Sequence, residues 1–321
     1  MGDILRLQSK YTEASENLTE ARRQFLEIGD VLGVAQCSRS LGDILHMQFK
    51  YTEASETLTE ARSQCLEIGY VLGAAQCSQS LAKILCMQVN YTEASETLAE
   101  ARRQFLEIGY VLGAAQCSHG LGEILRMQSK YTEASETLTE ARRQFLEISD
   151  VLGMTQCLQR LGDILRMQSN CTEASETLTE ARRQFLEIGD VLGVAQCSLS
   201  LGKILHMQSK YTEALETLTE ARRQYVDIGH VFGMAQCSQS LGEILCMQSK
   251  YTEALEALTE ARSQFLEIGH VHDAAGCSQS LDDIICMQDN GIAVTDQVTK
   301  IHLRAKKEGS LQRLHEQEGS G

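Results

Sequence analysis

Proline is absent from the 321-residue chain, and so is tryptophan. Without proline no helix is broken by a locked φ, and no proline-rich linker divides the chain. No Ser/Gly-rich linker interrupts the composition before about residue 290 either. Aromatic residues make up only 5% of the chain. A core short of rings is filled by Leu, Ile, Ala and Cys, which suits thin helix-on-helix packing and predicts an all-α chain.

Positive charge is also scarce: 29 Lys and Arg stand against 44 Asp and Glu, for a formal net charge of −15. Nucleic acid needs a basic surface that can displace phosphate counterions, so general electrostatic capture of it is excluded. On charge alone the natural partner is a basic peptide. No run approaches the roughly 20 apolar residues of a membrane span, and the N-terminus does not resemble a secretory signal. These absences predict a cytoplasmic protein without membrane or nucleic-acid partners.

Motifs that carry chemistry are missing as well. There is no Gly-rich phosphate loop, nucleophile elbow or His-Glu-x-x-His helix, so the expectation is of neither enzyme nor cofactor. There is no Cys-x-x-Cys, and His270-x-His272 has no third ligand nearby in sequence, so no metal site is expected. Cys86, Cys246 and Cys286 sit in stacked repeats about 8 to 10 Å per helix layer apart, too far for a disulfide or a shared metal.

What the chain does have is 43% hydrophobic residues and twelve cysteines, seven of which (Cys37, Cys77, Cys117, Cys157, Cys197, Cys237 and Cys277) recur every 40 residues. Recurrence at a fixed period marks a packing position and a reducing compartment rather than a disulfide framework. The whole segment recurs with them, beginning at Tyr11, Tyr51, Tyr91, Tyr131, Cys171, Tyr211 and Tyr251. Seven near-identical copies define the architecture.

Each copy holds two helical stripes. In the first, Ala14, Leu18, Ala21, Phe25 and Ile28 are spaced by four and three, which predicts helix B over 11–28. Gly29 can take a left-handed C-cap and Asp30 can cap the next helix. The stripe then resumes at Val34, Cys37 or Ser38, Leu41, and Ile44 or Leu45, which predicts helix A over 31–48. A single coiled coil is excluded, because 40 is not a multiple of seven and a break falls about every 20 residues. At 1.5 Å per residue each helix is about 27 Å long. One such hairpin cannot cover its own apolar stripe, so the hairpins must stack.

The order Leu41-Gly42, Leu45, Tyr51, Ala54, Leu58 and Ala61 resembles the tetratricopeptide repeat, over about residues 1–290. The resemblance implies a right-handed α-solenoid of tandem antiparallel hairpins, with small residues where helices cross closely. Two features depart from the pattern: Leu66 stands where a proline usually closes the second helix, and the period is 40 rather than 34 residues. Both are similar to the longer repeats of kinesin light chain and Pins-type adaptors. The wording of the repeats also resembles tetratricopeptide tails beside nucleotide-binding receptor-like proteins of mushroom-forming fungi.

The ends differ from the middle. Met1–Lys10 matches only the second half of a helix A, which predicts an incomplete first hairpin and suggests a fragment or truncated product. The last helix A carries Asp273 for Gly, Gly276 for Gln and Asp282 for the small residue of the crossing point, where a carboxylate cannot be buried cheaply. Val294, Val298, Ile301 and Ala305, with Lys300, Arg304, Lys306 and Lys307 beside them, predict a capping helix over 291–307 and a disordered tail over 308–321.

Comparison among the copies shows where they differ. Helix B is nearly constant: Glu13, Glu16, Glu20 and Glu27 face Arg22 and Arg23, a pattern that reads as a solvated surface with pairs such as Glu20–Arg23 and Arg23–Glu27. Helix A varies in three columns. One is Arg39, Gln79, His119, Gln159, Leu199, Gln239 and Gln279; the next is Asp43, Lys83, Glu123, Asp163, Lys203, Glu243 and Asp283; the third is His46, Cys86, Arg126, Arg166, His206, Cys246 and Cys286. Spaced by four and three, they share one face of helix A, opposite the packing stripe.

The resemblance implies that this face lines a concave groove that grips peptides. Exposed positions free to drift would vary in the same way, but the equally exposed part of helix B hardly varies. The expected function is therefore a scaffold for a protein or peptide partner. Two alternatives are the sensor portion of a multidomain signalling ATPase and a solenoid that self-associates end to end.

Overall fold

The computed structural model describes residues 2–289 of the chain, with side chains over 10–286. Among the described residues every element is an α-helix: α1 (Gly2–Glu27), α2 (Val31–Met47), α3 (Tyr51–Glu67), α4 (Val71–Met87), α5 (Tyr91–Glu107), α6 (Val111–Met127), α7 (Tyr131–Glu147), α8 (Val151–Met167), α9 (Cys171–Ile188), α10 (Val191–Met207), α11 (Tyr211–Asp227), α12 (Val231–Met247), α13 (Tyr251–Glu267) and α14 (Val271–Asp289). Even-numbered helices are the A helices and odd-numbered ones the B helices. The chain divides into two compact units after Thr177, within α9.

The turn from B to A follows the sequence. Gly29 has φ 71, Asp30 accepts from the Gly33 N–H at 3.0 Å, and Asp150 and Asp190 cap their helices in the same way. His230 does so through Nδ1, at 3.0 Å from the Gly233 nitrogen. Tyr70 and Tyr110 stand at the same position without a side-chain cap. The turn from A to B carries no such signature, yet it also needs a left-handed residue: Phe49 has φ 61 and Val89 φ 62. That conformation costs a residue with a Cβ roughly 1–2 kcal/mol. Packing of the hairpin and the bond from Lys50 N–H to the Leu45 carbonyl, 3.0 Å, offset it.

The same Gln-Ser-Lys that turns at Gln128–Lys130 also occurs at Gln8–Lys10, but there α1 runs on unbroken from Gly2 to Glu27. Nothing in that tripeptide breaks a helix. It turns only where two helices of a hairpin pack around it.

In the first unit, Ala54, Leu58, Leu81 and Ile84 form one layer of core, Ala94, Leu98, Ala101, Phe105 and Cys117 belong to the next, and Leu138, Phe145, Cys157 and Ile164 to a third. The second unit repeats the plan with Leu218, Tyr225, Cys237 and Ile244. The crossing-point glycine has a direct reason: a Cβ on Gly42 would stand 2.5 Å from Leu58 Cγ. Asp282 at the equivalent position of α14 is exposed. Ala275 is exposed as well, although its equivalents Ala35, Ala75 and Ala115 are fully buried. Asp273 pairs with His270 Nδ1 at 3.1 Å. The capping helix and tail expected over 291–307 and 308–321 lie outside the described residues.

Three expectations need correction. Helix B of the first copy, expected over 11–28, runs instead from Gly2, so Met1–Lys10 does not form the separate half of a hairpin that its match to helix A implied. Ile28, assigned to the packing stripe, is 75% exposed, and Ile68 and Ile108 are exposed too. Ile68 and Ile108 are C-caps, so they lie past the last helical residue, where the helical stripe no longer sets the direction of a side chain. Nor is the polar face of helix B free to drift. Arg23 is paired with Glu20 at 2.7 Å and with Glu27, while Arg22 reaches Glu60 of the next B helix at 2.7 Å. In the second unit Arg222 bridges likewise to Glu260 and donates to Ser238 Oγ at 3.0 Å. These pairs engage part of the constant face of helix B.

Candidate peptide-binding face

A helices pack against A helices: α2 touches α4, α4 touches α6 and α6 touches α8 in the first unit, and α10 touches α12 and α12 touches α14 in the second. The variable columns lie along these contacts. Most of their side chains are therefore half-buried; Lys83, Gln279, Asp283 and Cys286 are exposed, and Gln159, Asp163 and Leu199 are buried.

The contacts follow one rule. Arg39 donates to Gln76, Gln79 Nε2 donates to Gln116 Oε1 at 3.1 Å, and Ser80 Oγ donates to Asp43 Oδ1 at 2.7 Å, each across 37 residues. That offset is one repeat less one helical turn, so each A helix meets its neighbour a turn back along the axis. His46 lies against Tyr51 instead, with ring centroids 5.9 Å apart.

The densest part of the face is on α6 and α8. Arg160 Nε lies 3.3 Å from Glu123 Oε1, again across the 37-residue offset, and Arg126 Nη2 lies 3.2 Å from Glu123 Oε2. Arg160 and Arg166 also flank Asp163, at 3.7 and 3.8 Å. Three guanidiniums thus surround two carboxylates, a local excess of positive charge in an acidic chain. Burial pushes Glu123 up, but Arg160 and Arg126 outweigh it and hold its carboxyl below the usual carboxylate range. Burial beside these groups pushes the His119 imidazole down, against the pull of Glu123.

The second unit arranges the same columns differently. Gln239 Nε2 donates to Glu243 Oε1 at 3.1 Å, and Gln279 Nε2 donates to Asp283 Oδ1 at 3.1 Å. Burial dominates at Glu243 and raises its pKa, with Lys203 and the Gln239 bond acting against the shift. His206 lies against Tyr211, centroids 6.0 Å apart. Burial raises the Cys86 and Cys246 thiols. In the recurrent column Cys77, Cys117, Cys157 and Cys237 are pushed up to about 12, which makes them packing groups rather than nucleophiles. Among the described residues no three His, Cys, Asp or Glu side chains converge to hold a metal ion.

The three columns did not identify Arg160, Gln76, Gln116 or Ser80, which complete the contacts. Arg160 was detectable: Ser40, Ser80, Gly120, Ser200, Ser240 and Ser280 hold its position in the other copies. Ser80 belongs to that same column; the Gln partners were not detectable, because Gln holds their position in every copy but the last.

The tetratricopeptide repeat family matches residues 1–67, 74–147 and 154–225 of the chain. No curated protein matches the sequence. Solved structures share the fold at low identity. BtubC from P. vanneervenii is 17% identical with a TM-score of 0.59, over 70% of this chain and 92% of that one. The Rap conjugation gene regulator of the plasmid pLS20, in complex with a Phr peptide, is 14% identical with a TM-score of 0.57, over 85% of this chain and 76% of that one. A STAND signal transduction ATPase with a tetratricopeptide repeat sensor, from Pyrococcus horikoshii, is 14% identical with a TM-score of 0.58, over 83% of this chain but 42% of that one.

Proposed function

Because the chain belongs to the tetratricopeptide repeat family, we propose that it is a non-catalytic, cytoplasmic interaction module whose A helices hold a peptide segment of a partner protein. One observation carries this reading: the side chains that differ among near-identical copies gather along the contacts between A helices, while part of the constant polar face of helix B is engaged in its own ion-pair ladder. The Rap regulator in complex with a peptide supports it at the level of the fold.

A charge swap at Arg126 would confront Glu123 with a second acid and perturb the fold, so the test belongs on α4, at Gln79, Lys83 and Cys86, none of which partners a buried carboxylate. Peptides enriched from a displayed random library by the full chain are expected to lose at least tenfold in affinity against the triple alanine variant. They should bind a Glu56→Ala, Glu136→Ala variant of helix B as they bind the parent. Equal loss in both variants sinks the assignment.

A second reading rests on the STAND protein, in which a tetratricopeptide array is the sensor. In it the array reports peptide occupancy to an ATPase in the same polypeptide. A nucleotide-binding domain in frame in the full-length transcript would favour this reading, and its absence would remove it.

A further inference from the structure

We propose that the turns joining each helix B to the next helix A form a second docking edge, built for a basic amphipathic helix of a partner protein. Leu26, Leu66, Leu106 and Leu146 close four successive B helices of the first unit with about half of each side chain in solvent, and the isoleucine two residues on is exposed in every case. At the first of these turns Leu26 is 59% and Ile28 75% exposed, with Val31 and Leu32 open beside them. Scattered apolar side chains on a surface are ordinary, but the same pair at the same place in each repeat is a patterned edge. The structure explains the neighbouring constant residues by the Gly29 turn, the Asp30 cap and the Arg23 ion pairs, and these explanations do not reach the exposed leucine and isoleucine.

Charge selects the occupant. Glu20–Arg23–Glu27 is a triad with two acids to one base, and Glu100–Arg103–Glu107 and Glu140–Arg143–Glu147 repeat it. Each triad therefore leaves one negative charge beside an apolar pair. An anionic membrane surface or an acidic segment would be repelled, and a second copy of this edge would bring like charge to like charge. A helix with apolar residues on one face and Lys or Arg beside them satisfies both features. Spacing supports a helix: successive B helices lie within reach of a single Arg–Glu ion pair, Arg22 to Glu60 at 2.7 Å, a separation on the order of the 10.5 Å that seven residues of helix rise. A partner helix with one apolar residue per heptad would therefore set one of them at each turn.

The test uses the full chain and two labelled 28-residue peptides, one with leucine at every seventh position among lysine and alanine, the other a scramble of it. The ordered peptide is expected to bind at least tenfold more tightly than the scramble, and less tightly as salt rises. The quadruple variant Leu26→Gln, Leu66→Gln, Leu106→Gln, Leu146→Gln should lose that preference with its circular dichroism unchanged, whereas Lys83→Ala should keep it. If the leucine variant loses helicity, the same substitutions at Ile28, Ile68, Ile108 and Ile148, at the mouths of the turns, serve in its place.

Equal affinity for the ordered and scrambled peptides overturns the proposal. So does loss of binding in Lys83→Ala, which would put the peptide on the A-helix face. A parent that sediments as a dimer and a Gln variant that sediments as a monomer would assign the edge to a second copy and overturn it too.

Discussion

Glu123 on α6 and Glu243 on α12 are the same residue at the same position of the repeat, three copies apart, and both are half-buried between A helices. They titrate in opposite directions. Burial raises both, but two guanidiniums reverse the shift at Glu123, while at Glu243 a lysine and a glutamine do not. The difference lies in two places: Arg126 on the same helix, where α12 carries Cys246, and the residue that the following helix supplies. Where α8 supplies Arg160 at the 37-residue offset, α14 supplies Ser280. A repeat protein can thus shift the titration of one half-buried group by substitutions around it, one of them in the next copy, with the group itself unchanged.

The largest expected effect comes from breaking the first member of the pair. Arg160→Ser restores the residue of most other copies and leaves Glu123 with Arg126 alone, a loss of about 2 kcal/mol at neutral pH, below the full cost of breaking a buried ion pair because one partner remains. The sign with pH follows from the depressed folded pKa: the contribution of Glu123 is present above the ordinary carboxylate range and is lost as pH falls through the folded value. Urea unfolding at pH 7 and pH 3 should show the cost shrinking in acid. A cost that is the same at both would mean that Arg160 acts by packing rather than charge.

Glu243→Gln sharpens the other member. With a raised folded pKa, the contribution of Glu243 is complete below the ordinary carboxylate value and disappears as pH rises through the folded one. A glutamine cannot ionise and keeps an acceptor for Gln239, so a gain of about 1 kcal/mol is expected at pH 7 and none in acid. Destabilisation at pH 7 would instead show the attraction of Lys203 outweighing burial.

The period, the bounds of the helices from α2 onward and the Asp caps were legible because each depends on residues close in sequence. Gly29 and Asp30 announce a turn and a cap, and Glu20, Arg23 and Glu27 sit at helical pairing distances. What was not legible depends on neighbours elsewhere. Val89 turns at φ 62 although a β-branched residue resists that conformation, because the two helices it joins pack tightly. Ile28 keeps the stripe's spacing yet falls outside the helix that would have aimed it inward. Of the candidate face, the columns themselves were legible as variation among copies. Their half-burial and their partners were not, since the 37-residue offset belongs to the packing of one A helix on the next.

The smallest effect on stability tests the comparison most directly. Ser280→Arg places a guanidinium at the same offset from Glu243 that Arg160 has from Glu123. Ser280 is half-buried and bonded only within its own helix, to the Gly276 carbonyl at 3.3 Å, so little is lost by replacing it. Lys203 already attracts the carboxylate, so the net gain in stability is a few tenths of a kcal/mol, in the range of an exposed ion pair. The titration should move with it: followed by carboxyl carbon NMR, Glu243 is expected to titrate lower in the variant than in the parent, toward the direction of Glu123. If it does not move, the offset seen between α6 and α8 does not extend to α12 and α14, and the contrast between the two glutamates rests on Arg126 and on depth of burial rather than on the helix that follows.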